Sequence, residues 1–237
     1  ARFVALGGAM GALGGDFSAA GINPAGIGVY RKSEINVGIG LNQIKTLSTL
    51  DGKIVEDRSF AANIENFGLI IQFPESNSKW RGGAFGFGYN RLNNYSSSYE
   101  IQGRSDGTSL LDDYTNDINQ LTANNPETIY DAFPFDAALA YDTWLINPLP
   151  EDSTLFNHVV QDHSNILQKE SIRRSGGLGE YTFNLGGNYK DKLYLGIAMG
   201  IPIVRYQEST TYTEQSLDDE PANDFDQYKM TNSLTAT

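Results

Sequence analysis

Cysteine is absent from this sequence, and histidine is nearly so. Without cysteine the chain has no disulfide framework, no thiol nucleophile and no thiolate metal ligand. The two histidines, His158 and His163, are five residues apart and lack the i, i+4 spacing of a helical zinc pair. We therefore predict an exposed loop around them, and neither a metal site nor a bound cofactor.

Basic residues are scarce as well, with 17 Lys and Arg against 29 Asp and Glu and a formal net charge of -12. Nucleic-acid binding needs a basic surface that neutralises phosphates, so nucleic acid is excluded as a partner. The acidic clusters at Asp112, Asp113 and Asp117 and at residues 218–226 lack the order of a calcium-binding loop. We interpret them as solvated loop acids.

Long apolar runs are missing too, since no stretch approaches the ~18 residues of a membrane-spanning helix. The sequence also lacks a Gly-x-Ser-x-Gly nucleophile elbow, a G-x-G-x-x-G fingerprint and a Gly-Lys-Ser/Thr phosphate loop. We find no catalytic constellation and predict that the protein is not an enzyme.

What the sequence does have is an unusual start, in which eight of the first thirty residues are glycine and charge is almost absent. Glycine loses more backbone entropy on folding than other residues, so such a segment does not fold by itself. It closes with Asn23, Pro24, Ala25 and Gly26, where proline sets φ and asparagine favours a turn. We predict that residues 1–32 fill a mould provided by the rest of the chain.

Beyond Ser33 the hydrophobic period is two, which indicates strands. Apolar residues alternate with small or polar ones over residues 35–41, 67–73, 85–89, 181–185 and 193–201, with a sixth strand over 226–237. The second face is mostly Gly, Asn, Gln and Ala, whereas a soluble sandwich exposes Lys, Glu and Thr there. The pattern favours an all-β fold, an antiparallel transmembrane β-barrel whose apolar face meets lipid.

The connections between these strands alternate in length. Residues 74–82 and 190–192 form short turns, whereas about 20 residues follow strand one, about 70 follow strand three and about 20 follow strand five. Outer-membrane barrels have short periplasmic turns and long outer loops, so the short turns mark the periplasmic side. An aromatic girdle is expected at this end. Its candidates are Tyr30, Trp80, Tyr189 and Tyr194.

The longest insertion, residues 103–169, has helical patterns over residues 109–121 and 128–144, the second interrupted at Pro134. An excursion of this length with its own secondary structure is often functional. Its apolar residues predict either a hydrophobic substrate-binding groove or simply the insertion's own small core. They are Phe133, Phe135, Leu139, Trp144 and Leu145.

The opening motif ALGGAMGALGGDFSAAGINPAG, followed by Tyr30-Arg31 and a first strand, resembles the N-terminal hatch of the FadL/TodX family. These are outer-membrane transporters of long-chain fatty acids and other hydrophobic compounds, here in the version found in Bacteroidetes-type bacteria. The resemblance covers residues 1–41 and includes the family's Asn-Pro-Ala at Asn23, Pro24 and Ala25. It implies a bacterial outer-membrane barrel of about 14 strands, plugged by the hatch.

Five or six strands cannot enclose a thirty-residue plug, because an eight-stranded barrel is already filled by its own side chains. We therefore expect residues 33–237 to be the N-terminal part of a larger barrel. Asn23 is expected to bond to the barrel wall and Pro24 to fix the kink of the hatch. Glycines in strand three are expected to weaken pairing and allow a lateral opening. They are Gly82, Gly83, Gly86 and Gly88.

The resemblance implies passive uptake of hydrophobic or amphipathic molecules, with the hatch moving locally to open a path. The partners would be that ligand, outer-membrane lipids and lipopolysaccharide. Arg173 and Arg174 would then face lipopolysaccharide phosphates or a substrate carboxylate, or only anchor the interface. Two alternatives stay open: a barrel that docks a partner in protein secretion or surface display, and a soluble sandwich with a glycine-rich arm.

Overall fold

A seven-stranded antiparallel sheet dominates the described part of the molecule. The computed structural model describes residues 5–9, 11–17, 20–74, 79–105, 107–121, 125–160, 165–217 and 225–237. The strands of this sheet are β1 (Glu34–Leu50), β2 (Lys53–Phe73), β3 (Trp80–Asn94), β4 (Ser97–Ser105), β7 (Ile166–Tyr189), β8 (Leu193–Ser216) and β9 (Gln227–Ala236). Their order is β1-β2-β3-β7-β8-β9, with β4 paired to β7 beyond the end of β3. The predicted all-β, antiparallel class is therefore confirmed.

The two faces of this sheet differ in composition because successive side chains point to opposite sides. One face, which we call the outward face, is apolar and exposed: Ile39 and Ile197 are 73% and 69% exposed. Its band of large apolar residues is most regular on β1 and β8. It includes Ile35, Val37, Ile39 and Leu41, and Leu193, Leu195, Ile197, Met199 and Ile201.

The opposite, inward face carries the N-terminal segment, for which we keep the name hatch as a label only; its described residues run from 5 to 32 with gaps. A 3₁₀ helix, Pro24–Val29, lies against β3, β7 and β8. A small core joins the hatch to the sheet, built from Phe17, Ala20, Ile27, Tyr30, Ile70 and Ala84. Here the prediction that the glycine-rich segment needs a mould agrees with its observed packing.

The predicted long loop after strand one is wrong. β1 and β2 run on through those residues and meet in a two-residue turn, Asp51-Gly52, where both φ angles are positive. This is the geometry that right-twisted hairpins prefer. The strands continue because the outward positions become charged without losing the alternation, as in the Lys45–Glu56 and Arg58–Glu56 ion pairs, each at 2.6 Å.

Beyond the apolar band the sheet splits into two layers. β2 pairs with β3 only from Asn66 to Phe73, and the rest of the β1–β2 hairpin separates from the sheet. β4 packs on the inward side of this hairpin, where Thr46 Oγ1 donates to the Ser98 carbonyl at 2.9 Å. The chain of β3 is interrupted only at residues 95–96 and continues along β7 as β4 in the same register, from Asn94 opposite Gly177 to Ser97 opposite Arg174.

The insertion between β4 and β7 contains helices α1 (Leu110–Asn119), α2 (Pro126–Ala132) and α3 (Ala137–Asp142), and the small hairpin β5 (Ile146–Pro148) and β6 (Phe156–His158). Both predicted helical regions are confirmed, with a break between α2 and α3. The expected bounds of 103–169 are too wide, because residues 103–105 and 166–169 are paired strand. No helix in the described ranges is long and apolar enough to cross a membrane.

The sheet has two open edges in the part of the chain that the structure describes. β1 forms one edge along its whole length. β9 covers β8 only from Tyr206 to Gln215, so residues 193–205 of β8 form the other. Both edges cross the exposed apolar band, at residues 35–41 of β1 and 193–203 of β8.

Candidate functional site: the interface between hatch and sheet

Asn23 starts the 3₁₀ helix of the hatch and fixes it to the preceding chain. Its Oδ1 accepts a hydrogen bond from the Ala25 amide at 3.2 Å, and its Nδ2 donates to the Gly11 carbonyl at 2.6 Å. Pro24 follows as the first helical residue, where its missing N–H costs nothing. The expectation that Asn23 bonds to the barrel wall is wrong, because both bonds stay within the hatch.

The backbone of the helix approaches the sheet so closely that wall residues must be glycine. A Cβ on Gly186 would lie 2.9 Å from the Gly28 nitrogen and 3.0 Å from the Pro24 carbonyl oxygen. A Cβ on Gly196 would meet backbone atoms of Pro24 and Ala25. Real Cβ atoms do not approach backbone this closely, so a side chain at either position would push the helix away.

Gly26 of the motif serves a different contact, inside the hatch. A Cβ on Gly26 would lie 2.9 Å from Gly14 Cα, and the Gly15 amide donates to the Gly26 carbonyl at 3.0 Å. The helix is thereby packed against the first glycine-rich turns. All four motif residues, from Asn23 to Gly26, thus hold the hatch in its shape or against the wall.

Two glycines of β3 that were predicted to allow lateral opening face the hatch instead. A Cβ on Gly86 would lie 2.9 Å from Ile27 Cδ1, and one on Gly88 would overlap the Phe17 ring. Both are paired with β2 on one side and β7 on the other. The structure therefore shows that they make room for Ile27 and Phe17 of the N-terminal segment, and it shows no gap in the sheet there.

The remaining two, Gly82 and Gly83, border an apolar groove at the end of the sheet near the 190–192 turn. The groove has a volume of about 550 Å³ and is walled by Phe73, Trp80 and Leu195. The rings of Trp80 and Tyr189 are 5.4 Å apart and nearly perpendicular. The other two residues predicted for an aromatic girdle, Tyr30 and Tyr194, do not lie on the outward face. Tyr30 is buried in the hatch core, and Tyr194 is at an inward-facing position of β8.

Polar groups are buried under the hatch without partners among the described residues. Asn184 of β7 is 2% exposed, and neither its Oδ1 nor its Nδ2 has a hydrogen-bond partner there. Tyr30 lies in the same core, and burial raises its pKa. An unsatisfied buried amide costs about 1–3 kcal/mol, so the hatch covers this wall at some loss of stability.

The chain leaves the hatch through an ionic contact with the β7–β8 turn. Arg31 is 3.3 Å from Asp191, and Arg81 is 3.9 Å from the same carboxylate. Asn188 Nδ2 also donates to Asp191 at 2.7 Å. This hydrogen bond, and then the two arginines, lower the pKa of Asp191. Because these side chains are exposed, the contact adds little to the stability of the fold. Its main effect is to fix the place where the chain passes from the hatch to β1.

The five apolar residues predicted to bind substrate do not form one groove. Phe133 and Leu145 pack against the insertion's core. Phe135 and Trp144 are 79% and 77% exposed, and Leu139 is about half exposed. Of the two interpretations left open, the insertion's own core accounts for the first pair, and the other three are exposed apolar side chains.

A buried polar cluster attaches the insertion to the sheet, and the sequence did not predict it. Glu214 of β8 is fully buried and accepts hydrogen bonds from the Leu110 amide, Ser109 Oγ and Tyr212 Oη, at 3.0, 2.6 and 2.6 Å. These contacts fix the start of α1 onto the strand. One signal in the sequence could have predicted it: the alternation of β8 continues past residue 201 and places Tyr212 and Glu214 on the same face of the strand.

His158 is also part of this attachment, and the expectation of an exposed loop is wrong for it. It is 8% exposed, and its Nε2 is 2.9 Å from Asp112 Oδ1. Asp112 caps α1 by accepting from the Ser109 amide, so it is not simply a solvated acid. His163 and residues 218–224 lie outside the described residues. Within the described ranges no three His, Asp or Glu side chains are grouped for a metal ion.

Arg174 has partners as well. It pairs with Glu208 and lies over the Tyr99 ring at 5.3 Å, so its charge is used within the protein rather than offered to a phosphate or substrate.

Comparison of the chain with protein-family models, with curated proteins and with solved structures gave no match. The likeness of residues 1–41 to the FadL/TodX hatch therefore rests on the residues themselves.

Proposed function

We propose that this chain forms wall and plug of a bacterial outer-membrane barrel through which hydrophobic or amphipathic small molecules, such as long-chain fatty acids or hydrocarbons, pass passively. One observation carries the proposal: the sheet is apolar on its exposed face and glycine-lined under a packed N-terminal segment on the other. A soluble sheet buries its apolar face and exposes the polar one, the reverse of this arrangement.

The exposed band supports contact with lipid. Ile35 and Leu41, at the two ends of the band on β1, are 71% and 68% exposed. Charged outward residues begin beyond it, with Lys45 on β1 and Arg205 on β8. Soluble monomers rarely expose contiguous apolar patches above a few hundred Å², and lipid would cover this one.

The open edges support closure by additional strands. Along residues 35–41 of β1 and 193–203 of β8, the backbone N–H and C=O groups on the free side have no strand partner in the described ranges, yet these residues lie in the apolar band. In lipid each unpaired group costs several kcal/mol, so spanning sheets close into barrels. A barrel of about 14 strands, the size implied by the family resemblance, would provide both partners.

The hatch contacts support a movable plug. It meets the wall mainly through glycine backbone and the side chains of Phe17 and Ile27, and it covers the unpartnered Asn184. A ligand would lose its water at the exposed apolar surface of the insertion and enter the barrel when the hatch shifts. The apolar groove beside Gly82 and Gly83 offers an exit toward the membrane.

A second candidate function is docking of a protein partner in secretion or surface display. The exposure of Phe135 and Trp144 favours it, since exposed aromatic residues on a packed insertion are typical of interaction surfaces. In that case the lumen would carry no ligand.

Mass spectrometry of an organic extract separates the two candidates. The full-length protein is purified from membranes beside an unrelated outer-membrane barrel treated identically. A stoichiometric fatty acid or hydrocarbon found only with this protein supports transport. A clean extract, together with loss of a co-purifying protein in the Phe135→Ser/Trp144→Ser variant, would reject transport in favour of docking.

A further inference from the structure

A second cavity, of about 500 Å³, lies at the other end of the outward face, where the apolar band of β3, β7 and β8 stops. In contrast to the groove beside Trp80, its lining is largely polar. It includes Tyr89, Arg91, Gly177, Gly179, Tyr181 and Arg205.

The floor of this cavity is the glycine pair of β7. Gly179 is paired with Arg91 of β3, and Gly177 with Arg205 of β8, so the glycines lie between the two arginines. A Cβ on Gly177 would lie 2.7 Å from Arg91 Nη1, and one on Gly179 would overlap the Tyr89 ring. Any other residue at these positions would fill the space between the arginines.

Neither arginine has a carboxylate within 4 Å in the part of the chain that is described. Among the described residues, Arg91 donates to the carbonyls of Ile64 and Gly176, both at 3.5 Å. By contrast Arg58 and Arg174 each contact a glutamate. The protein has a net charge of -12, yet two guanidinium groups line this cavity without a carboxylate to neutralise them. This local positive charge indicates an anionic ligand.

The surroundings define that ligand further. Arginine binds phosphate through paired hydrogen bonds, and tyrosine is favoured where a membrane surface meets water. Ile203, Ile201 and Met199 continue from the cavity along β8 as an apolar track, which suits an acyl chain. We propose that this cavity binds the phosphate group of an outer-leaflet lipid, whose chains lie along β8; the inference rests on the proposed contact of the outward face with lipid.

The test uses the full-length protein in a neutral detergent and ³¹P NMR line broadening to measure binding. Monododecyl phosphate is the lipid-like probe and inorganic phosphate the free anion. Arg91→Gln and Arg205→Gln each remove one charge from the cavity. Arg58→Gln removes the same charge from the same face outside it, and Gly177→Ser fills the floor while keeping both arginine charges.

We expect saturable binding of monododecyl phosphate, weakened about tenfold or more by Arg91→Gln, Arg205→Gln or Gly177→Ser and unchanged by Arg58→Gln. Equal binding of inorganic phosphate would overturn the lipid assignment. Unchanged binding in the Arg91→Gln/Arg205→Gln protein, folded by circular dichroism, would overturn the site. Detergent uptake is measured in parallel: a protein that binds no detergent belt contradicts the membrane placement itself, whereas a belt without phosphate binding rejects only this inference.

Discussion

At the residue scale, the contact between hatch and sheet depends on glycines, because only a residue without a side chain lets the two backbones approach so closely. Gly196→Ala would place a methyl group against the backbone of Pro24 and Ala25, which cannot give way without moving the helix. We expect hydrogen exchange of the amides of residues 25–29 to rise at least about tenfold, since the helix would lose its seat. Gly200→Ala is the matched control, because its methyl group would meet only the flexible Glu180 side chain. Equal exchange in the two variants would contradict the close fit.

Asn184 allows a second test at this scale, one in which a substitution increases stability. Asn184→Leu replaces a buried amide without partners by an apolar side chain of similar size, and we expect the free energy of unfolding to rise by about 1–3 kcal/mol. Asn188→Leu is the control, because Asn188 donates to Asp191 at 2.7 Å and its loss should destabilise the turn. Urea unfolding measures both. A decrease for both variants would show that Asn184 has a favourable role in the wall.

At the scale of elements, the hatch should move as a unit relative to β7. Ile27 Cβ lies 3.3 Å from the position of a Cβ on residue 186. Because the new Cβ would also push the helix slightly away, it would widen this separation toward the about 3.5–4.5 Å found in disulfides. The sequence has no cysteine, so the Ile27→Cys/Gly186→Cys protein can form only this bond within the chain. We expect oxidation to stop uptake of a fluorescent long-chain fatty acid into proteoliposomes and reduction to restore it.

The two single-cysteine proteins control for the strain that the new side chains introduce. They should carry the fatty acid equally with and without oxidant. If the oxidised double variant transported as fast as the reduced one, movement of the helix away from β7 would not be part of the path.

Element positions followed from the sequence where one face was strongly apolar, and not where it became polar. The alternation at residues 35–41 and 193–201 predicts β1 and β8, whereas their charged extensions resemble loops in composition. Asp51-Gly52 was a readable hairpin signal between them. Glu214, Arg91 and Arg205 could not be assigned partners, because their contacts depend on strand register and on the separation of the β1–β2 hairpin from β3 beyond Asn66. Neither of these can be read from the spacing of residues in the sequence.

At the scale of the whole molecule, the question is whether the outward face meets lipid or water. Ile39 and Leu47 both lie on β1 and both point outward, and they are 73% and 63% exposed. Only Ile39 is inside the apolar band; Leu47 lies beyond Lys45, among charged residues. The same substitution at the two positions therefore changes the depth in the proposed membrane while leaving strand, face and exposure nearly the same.

In lipid, Ile39→Arg should destabilise the folded protein by about 2–4 kcal/mol, whereas Leu47→Arg should cost about 0–1 kcal/mol, because the penalty for arginine falls toward the membrane surface. In water, both arginines would be solvated and the two costs would be similar and small. Denaturant titration of the protein folded into phospholipid vesicles measures the difference directly. A gap of about 2 kcal/mol between the variants would support the membrane assignment, and equal stabilities would favour a soluble sheet whose apolar face is covered by another protein surface.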